Sequence, residues 1–169
     1  MHNPIKKYED ICNSIKLKLE AQKITKLPKI IAVSKTFGIE KILPLIEYGH
    51  LDYGENKVQE AEDKWTKIKI DNPNIKLHMI GKLQTNKVKF AVKIFDFIHS
   101  VDSLKLAKKI SDEQIKQKRK LNLFIQVNIG SEDQKAGIDK SELVNLCRYC
   151  KELNLNVIGL MNIQFAVQG

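Results

Sequence analysis

Three cysteines in 169 residues, Cys12, Cys147 and Cys150, are too few to staple a small secreted domain. No apolar run is long enough to cross a bilayer, and the amino-terminal MHNPIKKYED has no hydrophobic signal core, so a cytoplasmic location without a membrane partner is expected. Glycine is sparse. The eight, at 38, 49, 54, 81, 130, 137, 159 and 169, form neither GxGxxG nor GxxxxGK[ST], which excludes the two familiar phosphate-cradling loops. Arginine is almost missing: 27 of the 29 cations are lysine, and they outnumber 20 acidic residues to give a net charge of +9. Without arginine clusters or interleaved aromatics, that surplus describes a solvated lysine face, and nucleic acid is not expected as a partner. His2, His50, His78 and His99 show no metal-ligand spacing, and no Ser/His/Asp arrangement stands in the local sequence.

What is present is alternation. Residues 5 to 22 place Ile5, Tyr8, Ile11, Cys12, Ile15 and Leu19 at helical spacing, which predicts a leading amphipathic helix. Six strand candidates follow, the first of them a short continuous apolar run: KIIAVSKT (29–36), LDYGEN (51–56), KLHMIG (76–81), FDFIHSV (95–101), LNLFIQVNI (121–129) and NVIGLMNI (156–163). Helical stretches near 39–48, 57–69, 85–93, 103–118 and 140–152 separate them, with Asp102 or Ser103 able to cap the fourth and Asp139 with Glu142 at capping-box spacing before the fifth. Strands joined by helices predict an α/β fold with a parallel sheet, because parallel neighbours need a crossover. No repeat or Gly/Pro-rich linker divides the chain, so residues 1–163 are taken as one domain. In such folds ligands bind at the carboxyl ends of the strands, here Ser34–Thr36, Glu55–Asn56, Ile80–Lys82, Ser100–Asp102, Asn128–Gly130 and Met161–Ile163.

Two features on this map bear chemistry. The CRYC of 147–150 lies inside a helical stretch whose apolar face is drawn from Leu143, Val144, Leu146, Cys147, Cys150 and Leu153; a redox pair would open a helix instead, so core packing is expected. Lys35 ends an apolar strand, which places its amine at the mouth of the sheet. A lysine must be neutral to attack an aldehyde, and apolar walls around a strand end would favour that form. The alternative is a lysine that simply reaches solvent from a strand end.

IIAVSKT (30–36), YGENKVQE (53–60), LHMIGKLQTNK (77–87), FIHSVDSLKLA (97–107), IQVNIGSEDQKAGI (125–138) and IGLMNI (158–163) occur in one order on those strand ends. Together they resemble the pyridoxal phosphate homeostasis protein family, single-domain relatives of the alanine racemase amino-terminal barrel. The resemblance implies a (β/α)8 TIM-type barrel, here incomplete, with about six parallel strands plus a leading helix. It implies that Lys35 holds pyridoxal 5′-phosphate (PLP) as a Schiff base and that Asn56, His78 and Met161 line the cofactor pocket. Each has a plainer reading too: Asn56 as a helix cap, His78 as a satisfied core histidine, Met161 as core filler. Lys135 and Gly137 match a family KxG, read as a surface turn or a second cationic contact. Lys82 stands where the family more often has His or Pro.

The function so implied is non-catalytic PLP homeostasis, with PLP-dependent apoenzymes as candidate recipients. Family members are mostly monomeric. After GLMNI the family continues into units that bind the cofactor phosphate, whereas QFAVQG (164–169) matches nothing in it and is read as a divergent tail. A truncated chain that has lost PLP binding is therefore an alternative, and open sheet edges would favour self-association. An amino-acid racemase is a more distant one, since the single-domain branch lacks the racemases' second domain.

Overall fold

In the computed structural model, which describes residues 3–129 and 136–163, the strand candidates become one six-stranded sheet. The strands are β1 (Ala32–Val33), β2 (Asp52–Glu55), β3 (Lys76–Met79), β4 (Phe97–Val101), β5 (Asn122–Gln126) and β6 (Asn156–Met161). All neighbours are parallel and the order across the sheet is the order along the chain. A helix makes each crossover: α2 (Ile39–Glu47), α3 (Val58–Asp71), α4 (Val88–Ile94), α5 (Leu104–Gln117) and α6 (Leu143–Glu152), with α1 (Pro4–Ala21) leading. The alternation thus gives the α/β parallel architecture it predicts. The sheet is not closed: β1 and β6 are its two ends.

Local chemistry explains the element starts. Asn3 accepts from the Ile5 and Lys6 amides ahead of Pro4, whose fixed φ and missing N–H suit a first turn. Ser103, rather than Asp102, caps α5 by accepting from Leu106 N. Asp139 accepts from Ser141 N at the start of a 3-10 turn, Lys140–Glu142, that leads into α6.

The core lies between sheet and helices. Tyr53, Leu77, Met79, Ile98, Leu123 and Ile125 are fully or almost fully buried, and Tyr53 meets Trp65 of α3 with ring centroids 4.8 Å apart. Gly81 is there because its backbone passes so close to Asn56 that any Cβ would collide with the Asn56 backbone.

Three expectations change. The first strand spans two residues instead of eight; it has one neighbour, and the chain leaves it at Ser34 in a turn. The stretch near 85–93 starts as a 3-10 turn, Thr85–Lys87, before α4. In α6 the apolar face is narrower than predicted: Leu146 and Cys150 are buried, but Val144 and Cys147 are exposed. Lys135 and the tail 164–169 lie outside the described residues.

Candidate functional site

The carboxyl end of β1 is built from four elements. Ser34 is buried; its N–H donates to Gly54 O (2.9 Å) and its hydroxyl donates to Glu55 Oε1 (2.7 Å). Glu55 closes β2 with its side chain wholly buried, where an unpaired carboxylate would cost several kcal/mol. It is not unpaired: Lys64 Nζ (2.8 Å) and Trp65 Nε1 (2.9 Å), both from α3, also donate to Oε1. Lys64 Nζ makes a second bond, to Ser34 O at 2.8 Å.

Lys35 follows this knot. Phe37 N donates to Ser34 O (3.2 Å), closing a β-turn with Lys35 and Thr36 at its centre, and Thr36 takes φ +64°. A β-branched residue in the left-handed region is uncommon and costs about 1–2 kcal/mol. Lys35 is exposed, and among the described residues its amine has no hydrogen-bond or ion-pair partner. The apolar walls expected from an eight-residue strand are not there, because the strand stops two residues earlier and its last residue, Val33, is itself 46% exposed.

The other predicted positions separate. Asn56 is half-buried after β2, beside a cavity of about 440 Å³ shared with Lys57, Lys82, Gln84 and Lys87. It is not the cap of α3: that position is Lys57, which makes no side-chain cap bond. Met161 ends β6 half-buried, its carbonyl accepting from Val127 N at 2.9 Å. Gly137, at φ +121°, belongs to a loop packed so closely on β5 that a Cβ there would meet Asn128 N at 2.8 Å.

His78, on β3, is buried. Its Nε2 lies 2.9 Å from Asp52 Oδ1 and its Nδ1 lies 2.9 Å from His99 Nε2, while its ring stacks on Phe97 at 4.2 Å. His99 stacks in turn on Phe124 at 4.3 Å. A carboxylate can only accept, so His78 Nε2 carries a hydrogen. Burial lowers the His78 pKa against the opposing pull of Asp52, and pushes His99 down to about 4 with help from His78, which favours neutral rings; His78 Nδ1 then accepts from His99 Nε2–H.

Sequence reasoning singled out neither Asp52 nor Lys64, and it considered His99 only as a metal ligand. His78 and His99 sit on adjacent strands, so the recurrence of histidine in LHM and IHS was a readable signal. Lys64 had none: it is one of nine lysines between 57 and 93. Among the described residues no group of three or more His, Cys, Asp or Glu is placed to hold a metal, and no helix is long and apolar enough to cross a membrane.

An open parallel sheet in chain order, with a helix at every crossover and a lysine just past the end of its first strand, defines the class as an unclosed (β/α) barrel. Residues 16–167 match the family described as alanine racemase, N-terminal domain, and the chain belongs to it. Within that family its similarity runs to the pyridoxal phosphate homeostasis proteins, as the six motifs indicate. The one from Pasteurella multocida (strain Pm70) is 37% identical over 136 residues, covering 80% of this chain and 58% of the relative. The chain thus spans about three fifths of the length of the curated relatives it matches. Among solved structures, PipY from Synechococcus elongatus PCC7942 with PLP bound superimposes with a TM-score of 0.76 at 33% identity, covering 91% of this chain and 73% of that one. Alanine racemase from Clostridium difficile 630, at 14% identity and a TM-score of 0.65 over 89% of this chain and 39% of that one, shares the fold.

Proposed function

We propose that this chain holds PLP through a Schiff base on Lys35 Nζ and serves intracellular PLP homeostasis as a carrier, not a catalyst. The observation that carries this reading is the position of Lys35: an exposed, unengaged amine on a fixed turn at the carboxyl end of β1, in a chain similar to a protein solved with PLP bound. The residues fit the aldehyde end of the cofactor. A neutral amine adds to the aldehyde carbon and water leaves, so the protein must supply a reachable lysine with no competing partner, and Lys35 is exposed and unengaged among the described residues. Asn56 and Met161 stand at neighbouring strand ends and are proposed to border the bound molecule. His78 is proposed to act from beneath, tying the strands under the site together through Asp52 and His99. PLP-dependent apoenzymes are the proposed recipients and the cytoplasm the proposed location.

The test is a spectral titration of the chain with PLP. An imine absorbance band that is lost in Lys35→Ala supports the reading; a band of equal size in that variant overturns it. A second reading, a chain that no longer binds PLP, is favoured by the apolar edge at β6, where Ile158 and Leu160 are 49% and 57% exposed. It predicts no band in either protein.

A further inference from the structure

We infer that Lys64 is a positioning residue for Lys35, acting through the peptide group that joins Ser34 to Lys35. This rests on the proposed use of Lys35. The carbonyl of that peptide accepts from Lys64 Nζ at 2.8 Å and from Phe37 N at 3.2 Å, while its neighbour across Ser34, the Ser34 N–H, is fixed on Gly54 O at 2.9 Å. With both sides of Ser34 held, the direction in which the chain enters Lys35 is set. The next residue, Thr36, sits at φ +64°, a conformation that Thr does not adopt without support.

The support is expensive to build, which argues that it has a use. Lys64 and Glu55 are a nearly buried ion pair, with side chains 12% and 0% exposed, on the helix side of an edge strand only two residues long. A pair of apolar side chains would fill that space with no desolvation cost. An apolar pair could not grip the Ser34 carbonyl. Three donors, Ser34 Oγ, Lys64 Nζ and Trp65 Nε1, converge on the single oxygen Glu55 Oε1, so Glu55 holds Lys64 and Lys64 holds the turn. Lys64 has no opening toward solvent comparable to that of Lys35, so it works as an anchor and not as a second attachment point.

The test is borohydride trapping of the full chain with PLP, followed by peptide mapping of the label over all lysines. Lys64→Met alone would strand the Glu55 charge, so the informative protein is the double variant Glu55→Gln/Lys64→Met, which removes both charges and keeps side-chain size. The share of label on Lys35 is expected to fall about tenfold relative to exposed lysines, as a lysine displaced by an ångström or so would. The Phe37 amide should exchange with solvent faster in the same protein. Adding Thr36→Gly, which accepts the left-handed turn without strain, should restore part of the Lys35 share; a purely structural role for the pair predicts no such rescue. An unchanged Lys35 share in the folded double variant, or an unchanged Phe37 amide, overturns the inference while leaving the proposed function intact. A wild-type chain whose Lys35 is labelled no more than its other exposed lysines overturns both.

Discussion

The middle of the sheet and its first edge are made in opposite ways. From β2 to β5 the strands have partners on both sides and helices packed over them, and nearly every residue of β2 and β4 is buried. At β1 two residues pair with one neighbour, and the segment is held from its end by Ser34, Glu55, Lys64 and Trp65. The centre is stable by area, the edge by a few directed bonds. A binding residue on the edge can therefore be reachable and still be fixed, which the packed centre would not allow.

That contrast can be broken from either side. Trp65 serves both regions, filling the core against Tyr53 and donating to Glu55, so Trp65→Ala should have the largest effect, about 3–5 kcal/mol by urea unfolding. Lys64→Met alone should cost about 3 kcal/mol, because it leaves a buried carboxylate without its cation, and the double variant with Glu55→Gln should recover much of that loss.

Acid should act on the centre of the sheet through its two buried histidines. In the fold His99 titrates at about 4 against an ordinary 6.5, and His78 is lowered as well, so between those values the unfolded chain binds more protons than the folded one. The stability that the neutral rings contribute is complete above about pH 7, falls as pH drops through 6.5 toward 4, and is lost below. For His99 alone the loss is about 3 kcal/mol. A denaturation series across this window checks it, and His99→Phe should flatten the slope. The smallest stability effect belongs to the far edge: Leu160→Lys on β6 should change stability by no more than about 0.5 kcal/mol, since the side chain is already 57% exposed, but should reduce any self-association seen by light scattering.

The same division decides how much the sequence disclosed. Central strands were legible as short segments rich in apolar and aromatic residues between helical stretches, and the helices because their apolar positions recur at helical spacing. The short β1 was not, since IIAV looks the same whether a strand has one neighbour or two. At the candidate site, Lys35 was marked by the strand end it follows. Its exposure was the plainer of the two readings, but the turn that carries it was not legible, because the Ser34 carbonyl at its start is held by Lys64, 30 positions away along the chain and brought in by α3. The Asp52–His78–His99 chain was hidden for a similar reason: hydrogen bonds across three strands have no spacing in the sequence.

The central claim is that an edge turn held by a buried ion pair presents one lysine out of 27 to an aldehyde. Trapping with PLP at neutral pH, quantified lysine by lysine, tests it most directly. Label is expected to concentrate on Lys35, with Lys64 unlabelled; label spread evenly over the exposed lysines, or centred on any lysine other than Lys35, overturns it.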